Sequence, residues 1–432
     1  MVSVDAARCA YCGGCVSVCP ADVITLAETR LVVSEQCIDC GACVPACPVG
    51  ALSESPRGIP LPGDARASDW YDLIVVGAGP GGSVAAWAAA EAGLSVLLLE
   101  KRQEIGSPVR CAEGVPYESL LGFLEPEPDW ISAEVDRAQI VASFAGDVLE
   151  RWHGSGGLGY VLERRVFDRV QAERAIAAGA QVRAKMPAVG LLREDGLVKG
   201  VVAEWQGQQV EIGASVVIAA DGVESRIGAW AGLDTQLSLE DTMVCAQYLL
   251  SGIDWDPACL GYWIDEAVAP GGYAWVFPKG EGLANVGLGV QADRGEETAL
   301  NCLNRFIEQE HALSPGSPVT LVVGNVPVAL PCSRLAIDGL MLVGDAARQV
   351  DPLTGGGIIN AMTAGRLAAQ AAADALAVGD VSVQGLAGYQ EQANRLLGQR
   401  LARSYRLRQR FPPQQRASRN FVRLFAVAAG GK

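Results

Sequence analysis

A chain of 432 residues, half of them hydrophobic and 19% charged, is long enough for two or three domains with large cores and too apolar to be disordered. Its formal net charge of -15 excludes nucleic acid as the main partner. The charge is uneven, because Gln392 to Lys432 carries nine Arg, one Lys and no Asp or Glu, so this +10 segment leaves -25 on the remainder. Met1 to Arg8 lacks the apolar core of a secretory leader, and no apolar run is long enough to span a bilayer, so the expected location is cytoplasmic. Thirteen Cys would suggest disulfides in a secreted chain, but their spacing here points to metal.

Residues 9 to 20 read CAYCGGCVSVCP and residues 37 to 48 read CIDCGACVPACP, two copies of C-x2-C-x2-C-x3-C-P. In such a run three thiolates wrap one 4Fe-4S cluster, and the fourth Cys reaches the other cluster. Cys9, Cys12, Cys15 and Cys47 are therefore expected to hold one cluster, and Cys37, Cys40, Cys43 and Cys19 the second. Zinc sites would favour C-x2-C pairs at longer separations. Gly13, Gly14, Gly41 and Ala42 keep side chains away from the inorganic core, and Pro20 and Pro48 stop each run from continuing as helix. The repeat resembles bacterial two-cluster ferredoxins, which implies a small α+β domain over residues 1 to 55 acting as a one-electron relay. The polar stretch from Glu54 to Ser68, rich in Pro and Gly, reads as a linker.

Tyr71 to Glu100 then reads strand, glycine turn, helix, strand. Ile74 to Val76 is a buried run, Gly77, Gly79 and Gly82 form a GxGxxG, the alanine-rich segment to Ala92 favours helix, and Leu94 to Leu99 is a second strand. The first glycine permits the tight turn, the second lets backbone approach a pyrophosphate, and the third lets the helix pack on the strand with its N-terminus toward the phosphates. Glu100 stands where an acid binds a ribose hydroxyl of an adenine dinucleotide. Lys101 and Arg110, in the loop that follows, are further candidate cofactor contacts. Two readings of Cys111 stay open, a small buried hydrophobe or a redox or substrate-side thiol at the carboxyl edge of the sheet.

Tyr117 to Tyr160 is irregular in pattern, and Arg164 begins an amphipathic helix. The apolar strand in SVVIAADGVESR runs into Asp221 and Gly222, a turn that can present backbone to a flavin nucleotide. Leu340 to Val343 leads to Gly344 and Asp345, the latter placed to accept from a ribitol or ribose hydroxyl. Gly355, Gly356, Gly357 and Ile358 open a long alanine-rich helix whose N-H groups suit the electron-rich edge of a reduced isoalloxazine. Three such elements resemble the FAD enzymes of the para-hydroxybenzoate hydroxylase-like fold, an α/β Rossmann-like domain with an inserted antiparallel sheet. The expected layout is a cluster domain over 1–55, a linker over 56–69 and an FAD-binding domain formed from 70–235 and 326–380. An antiparallel substrate domain takes 236–325 with parts of 115–165, and basic helices take 381–432.

The insertion contains Pro270-Gly-Gly-Tyr273-Ala-Trp275-Val-Phe277-Pro278, a P-x-x-Y-x-W-x-F-P string whose aromatic side chains alternate onto one face. With Cys111-Ala-Glu-Gly114, Asp221-Gly222 and Gly344-Asp345-Ala-Ala347, it resembles the geranylgeranyl reductase family over roughly residues 70 to 400. The resemblance implies that Tyr273, Trp275 and Phe277 line a polyisoprenoid site beside the flavin. It also implies that isolated C=C bonds of prenyl lipids, chlorophyll precursors or quinone tails are reduced. Hydride delivery to an unactivated alkene must be coupled to protonation of the other carbon, with cationic character that aromatic faces stabilise. His153 and His311 are the only histidines, so Cys111 or a flavin-bound water is the expected proton source.

The fused cluster domain departs from most of that family and matches the absence of a second GxGxxG for NAD(P)H. Electrons are expected to enter singly from a reduced low-potential donor, a ferredoxin or an oxidoreductase. An FAD and iron-sulfur electron-transfer dehydrogenase coupled to quinone is the alternative. An aromatic hydroxylase is disfavoured by its need for oxygen, and a pure electron carrier by the aromatic string. Leu, Tyr and Phe interleaved with Arg in the tail fit helices lying on an anionic membrane, giving peripheral contact.

Overall fold

The computed structural model describes residues 2–27, 30–53, 70–144, 147–294 and 297–429. The expected linker at 56–69 lies outside the described residues. Trp70–Val76 forms the middle of a mixed sheet, parallel to Val96–Leu99 on one side and to the end of Gln208–Ala219 on the other. Gln181–Arg183 extends it at one edge, and Leu340–Leu342 joins alongside Val217 to Ala219. These strands are buried on both faces, which is why they read as continuous apolar runs. The helices Pro80–Glu91 and Ile358–Val378 pack on this sheet and on each other. Their small residues permit a close approach, since a Cβ on Gly365 would come within 2.1 Å of the Gly81 carbonyl oxygen.

A second sheet of eight strands runs in the order Ser317–Pro327, Thr242–Ser251, Leu283–Gln291, Tyr273–Gly280, Cys259–Ile264, Ile131–Phe144, Asp147–Leu162, Gly114–Pro116. Every pairing is antiparallel except that between Cys259–Ile264 and Ile131–Phe144. Residues 117 to 160, irregular in sequence pattern, thus supply two of the longest strands. Three register shifts between them break the period-two alternation that would have announced a hairpin. Alternation on the central strands splits the sheet into two faces. Trp263, Val276 and Leu288 pack under the helix Ala299–Gln309, whereas Tyr262, Trp275 and Phe277 face the other way.

In the cluster domain, Ser3–Val4 pairs with Leu52–Ser53 and Ile24–Ala27 with Arg30–Val33. Val2, Ile24 and Leu52 share its small core with Cys15 and Cys43.

In the tail, Gln399–Arg410, Pro413–Arg416 and Arg419–Ala428 fold back on the body, burying Leu401, Arg408, Arg416, Phe421, Val422 and Phe425. The apolar face of Arg419–Ala428 meets the antiparallel sheet, and Leu401 of Gln399–Arg410 joins the core around the first sheet. No helix among the described residues is long and apolar enough to cross a membrane.

Candidate active site

The two sheets enclose a cavity of about 930 Å³ that every cofactor and catalytic candidate of the flavin region lines. Its nucleotide end is built by the glycine turn. Gly77 has φ +104°, and a Cβ there would come within 2.3 Å of the Ala220 carbonyl oxygen. A Cβ on Gly82 would strike the Gly77 oxygen at 1.8 Å, so strand and helix meet this closely only through glycine. The Glu100 carboxylate accepts the Ala78 amide on one oxygen and the Arg102 amide on the other, both at 2.9 Å. Lys101 pairs with Glu224 at the rim, near exposed Arg110.

Asp221 accepts the Ile227 amide at 3.0 Å through one oxygen, while its other oxygen is buried with no partner among the described residues. Burial pushes the Asp221 carboxyl above the usual range, and does the same to Asp345. Gly355, Gly356 and Gly357 border the cavity at the N-terminus of Ile358–Val378, where helix amides have no intrahelical acceptor.

At the opposite end, the Tyr273 hydroxyl donates to the Thr354 carbonyl, tying the aromatic strand to the glycine cradle. Tyr273 meets Trp275 edge-on at 5.9 Å between centroids and Phe425 of the tail at 5.2 Å. Tyr262 contacts Tyr273, Phe277 and Phe425, completing an aromatic wall. Trp275 Nε1 donates to Gln247 Oε1 at 2.9 Å, and Gln247 in turn donates to the Cys111 carbonyl at 2.9 Å.

Cys111 touches the cavity, yet its thiol is enclosed closely enough that desolvation raises it, with the Arg164 guanidinium opposing. The thiol therefore stays protonated at neutral pH. Beside it, Glu113 has φ +75° and its carboxylate is held by three donors. Lys279 Nζ lies 2.7 Å and Asn285 Nδ2 2.6 Å from its Oε2, and the Arg164 amide donates to Oε1 at 2.7 Å. Arg164 also forms a two-pronged pair with Asp168, both contacts at 2.7 Å. Both histidines are exposed and neither borders the cavity.

Gln247, Tyr262, Asn285, Lys279 and Phe425 escaped the sequence reading. Tyr262 and Phe425 carry the same alternating or helical signal as the aromatic string, read from strands and helices that were not matched to it. Lys279 directly follows the P-x-x-Y-x-W-x-F-P string and was the most accessible of these.

In the cluster domain, Cys19, Cys37, Cys40 and Cys43 border one small hollow of about 20 Å³. No group of three or more Cys, His, Asp or Glu converges on a single-ion site among the described residues. Cys47 Sγ accepts the Ala51 amide at 3.1 Å, and amides led by Val23 pull the Cys19 thiol below its ordinary value. The Cys19 environment favours thiolate. The domain touches the flavin region through Lys185, which donates to the Cys9 carbonyl and lies over the Tyr11 ring at 5.4 Å.

A glycine-turn nucleotide site opening into an aromatic-walled cavity defines a flavin-dependent oxidoreductase. Residues 72–275 match the FAD dependent oxidoreductase family, residues 241–326 the geranylgeranyl reductase catalytic domain, and residues 1–48 the 4Fe-4S dicluster domain. The chain is 51% identical over 344 residues to the digeranylgeranylglycerophospholipid reductase of Methanothrix thermoacetophila, covering 79% of this chain and 87% of that one. It is 50% identical over 322 residues to the protein of that name from Methanosarcina acetivorans, covering 74% and 79%. The crystal structure of a geranylgeranyl bacteriochlorophyll reductase-like protein from Thermoplasma acidophilum aligns with a TM-score of 0.76 at 40% identity, covering 79% and 87%. A flavin-dependent brominase aligns with a TM-score of 0.67 at 17% identity, covering 84% and 94%, and so shares the fold. The chain belongs to the geranylgeranyl reductase family, as a flavin- and iron-sulfur-dependent reductase of C=C bonds.

Proposed function

We propose that this chain saturates the isolated C=C bonds of geranylgeranyl chains carried on a glycerophospholipid, using electrons from a reduced low-potential donor passed through two 4Fe-4S clusters to FAD. The observation that carries it is one cavity joining a nucleotide cradle to an aromatic wall. The residues fit FAD. Gly77, Gly79 and Gly82 would admit the pyrophosphate, Glu100 and Asp345 would take ribose and ribitol hydroxyls, and the open Asp221 oxygen would gain a donor. Lys101, Arg110, Gly222 and Gly344 flank the nucleotide. Bound FAD supplies the electron pair that the alkene takes up.

The chain's own groups do the rest. Tyr262, Tyr273, Trp275 and Phe277 hold the apolar chain, exclude water and lower the energy of positive charge building on the substituted carbon. Amides of Gly357 and Ile358 stabilise negative charge at the flavin edge. The Cys111 thiol, protonated at neutral pH, holds the proton for the second carbon. Cys9, Cys12, Cys15 and Cys47 are the ligand set for one cluster, and Cys19, Cys37, Cys40 and Cys43 for the other. The exposed arginines of the tail, among them Arg403, Arg410 and Arg423, give the protein peripheral contact with the inner face of the membrane that bears its substrate.

The test is anaerobic. The purified chain is reduced with dithionite, mixed with digeranylgeranyl phospholipid or with a menaquinone, and followed by flavin reoxidation and lipid mass. A gain of about two mass units per reduced bond is expected with the phospholipid. Reoxidation by menaquinone with its tail unchanged, and none by the phospholipid, would replace this reading with a quinone-coupled dehydrogenase.

A further inference from the structure

Two tail arginines are buried in the cavity wall with no acid against them. Arg408 is 5% and Arg416 8% exposed, and both line the cavity. All their hydrogen-bond acceptors are uncharged. Arg408 donates to Gln291 Oε1 at 2.9 Å, to the Val328 carbonyl at 3.3 Å and to the Glu240 carbonyl at 3.4 Å, and approaches the Met243 sulfur at 3.9 Å. Arg416 donates to the Gly271 carbonyl at 2.7 Å and the Phe411 carbonyl at 3.1 Å. Among the described residues no carboxylate lies within 4 Å of either guanidinium.

Asp241, Asp293 and Glu266 act on them only at longer range, while Arg294 adds another positive charge. Anchoring a tail to backbone carbonyls requires donors, and an amide or hydroxyl would serve. Burying two full charges without a contacting counter-ion is destabilising. Burial lowers both, Arg416 to about 10. An anion bound between them would remove that cost, and a planar guanidinium is suited to phosphate.

Position narrows which anion. Arg416 holds Gly271, two residues before Tyr273, and the cavity-facing Tyr273, Trp275 and Phe277 recede from it along one strand. From Tyr273 to Phe277 the strand advances roughly 13 Å at about 3.3 Å per residue. Arg294, exposed, approaches Gly271 and adds a third positive charge at this end. Charge at one end of the cavity followed by an aromatic wall matches an amphiphile with an anionic head and a long unsaturated tail.

We propose that Arg408 and Arg416 form the binding site for the phosphate of the prenyl lipid, with its isoprenoid chain laid along Tyr273, Trp275 and Phe277. The proposal rests on the reading of the substrate as a phospholipid. The C-terminal tail is then a part of the substrate site, setting the head while Phe425 covers the chain.

The experiment is equilibrium binding of the FAD-loaded full chain to three ligands: a saturated dialkylglycerol phosphate, the same dialkylglycerol without phosphate, and glycerol phosphate alone. In the Arg408→Gln/Arg416→Gln double variant, binding of the lipid phosphate should weaken by about tenfold or more, and binding of the neutral lipid by less than about twofold. Arg416→Lys, which keeps the charge, should recover part of the loss. Where the double variant fails to retain FAD, Arg416→Gln alone carries the comparison, since its amide nitrogen takes the place of the Nε that donates to the Phe411 carbonyl. Equal losses for both lipids, or none for either, would reduce the arginines to tail anchors and overturn the proposal. Glycerol phosphate binding as tightly as the lipid would overturn the assignment to a lipid. Saturated lipids have no bond to reduce, so a wild-type chain that binds the phosphate lipid through these arginines yet reduces no prenyl bond would keep the site and lose the proposed function.

Discussion

Glu113 and Lys279 sit 166 residues apart in sequence and 2.7 Å apart in space, their side chains 4% and 5% exposed. A buried pair contributes little net stability, but removing one member strands the other charge in low dielectric. Lys279→Met should therefore lower unfolding stability by about 3–5 kcal/mol, and adding Glu113→Gln should recover much of it. Denaturant titration of the FAD-loaded protein checks both, and additive losses would show that the two act independently. The Cys111 thiol makes a prediction in pH. Burial raises it, so the proton-donating form is complete below its raised value and is lost only as pH climbs through that value. Lipid reduction should then stay flat from neutrality to about pH 9, above the ordinary thiol range, and Cys111→Ala should slow single-turnover reduction by roughly 10²–10⁴-fold. A falling limb near neutral pH would exclude this thiol. At this scale the sequence made Cys111 visible through its motif. Its supports, Gln247, Asn285 and Arg164, come from three distant segments, and no local pattern links them.

Elements differed in legibility for physical reasons. The Trp70–Val76 strand, the Pro80–Glu91 helix and the Val96–Leu99 strand fall within a few residues of where periodicity and glycines placed them, because turn, helix start and buried strand each leave a local mark. The 131–162 hairpin did not announce itself. Its glycines answer to neighbours, as at Gly159, where a Cβ would meet the Val115 oxygen at 1.9 Å, and its bulges shift the alternation. For the tail, sequence gave the amphipathic helices but not the surface that receives them, since an apolar stripe looks alike whether it meets lipid or protein. Phe425, 1% exposed and edge-on to Tyr262 and Tyr273, holds Arg419–Ala428 in place. Phe425→Ala should cost about 3–5 kcal/mol, most of it spent locally in releasing the helix. Limited trypsin digestion should then cut at the exposed Arg419 or Arg423 much faster than in the native chain while FAD is retained. Unchanged digestion would mean that the helix is held elsewhere.

On the scale of the whole molecule, the question is how a one-electron relay meets a two-electron site. The cluster domain touches the flavin region where Lys185 donates to the Cys9 carbonyl and Arg8 to the Gln206 carbonyl. The same segment is tied to the nucleotide end, because the Lys185 amide donates to the Arg102 carbonyl at 2.7 Å and the Met186 amide to the Glu100 carbonyl at 2.8 Å. Met186 lines the cavity. The loop carrying Cys9 is thus in direct contact with the segment that shapes the nucleotide cradle, while each run has one exposed thiol, Cys12 and Cys40. Contact, not exposure, is what suits the Cys9 run to hand-over to the flavin. Lys185→Glu removes the bond to the Cys9 carbonyl and places an acid near thiolates that carry negative charge themselves. Flavin reduction by a pre-reduced low-potential ferredoxin, followed by stopped-flow absorbance, should slow by about tenfold, equivalent to about 1.4 kcal/mol. Photoreduction of the flavin by a small dye that bypasses the clusters should keep its native rate. Equal slowing by both routes would mean that the substitution disturbs the nucleotide cradle through Met186, and an unchanged ferredoxin rate would move the electron path away from Cys9.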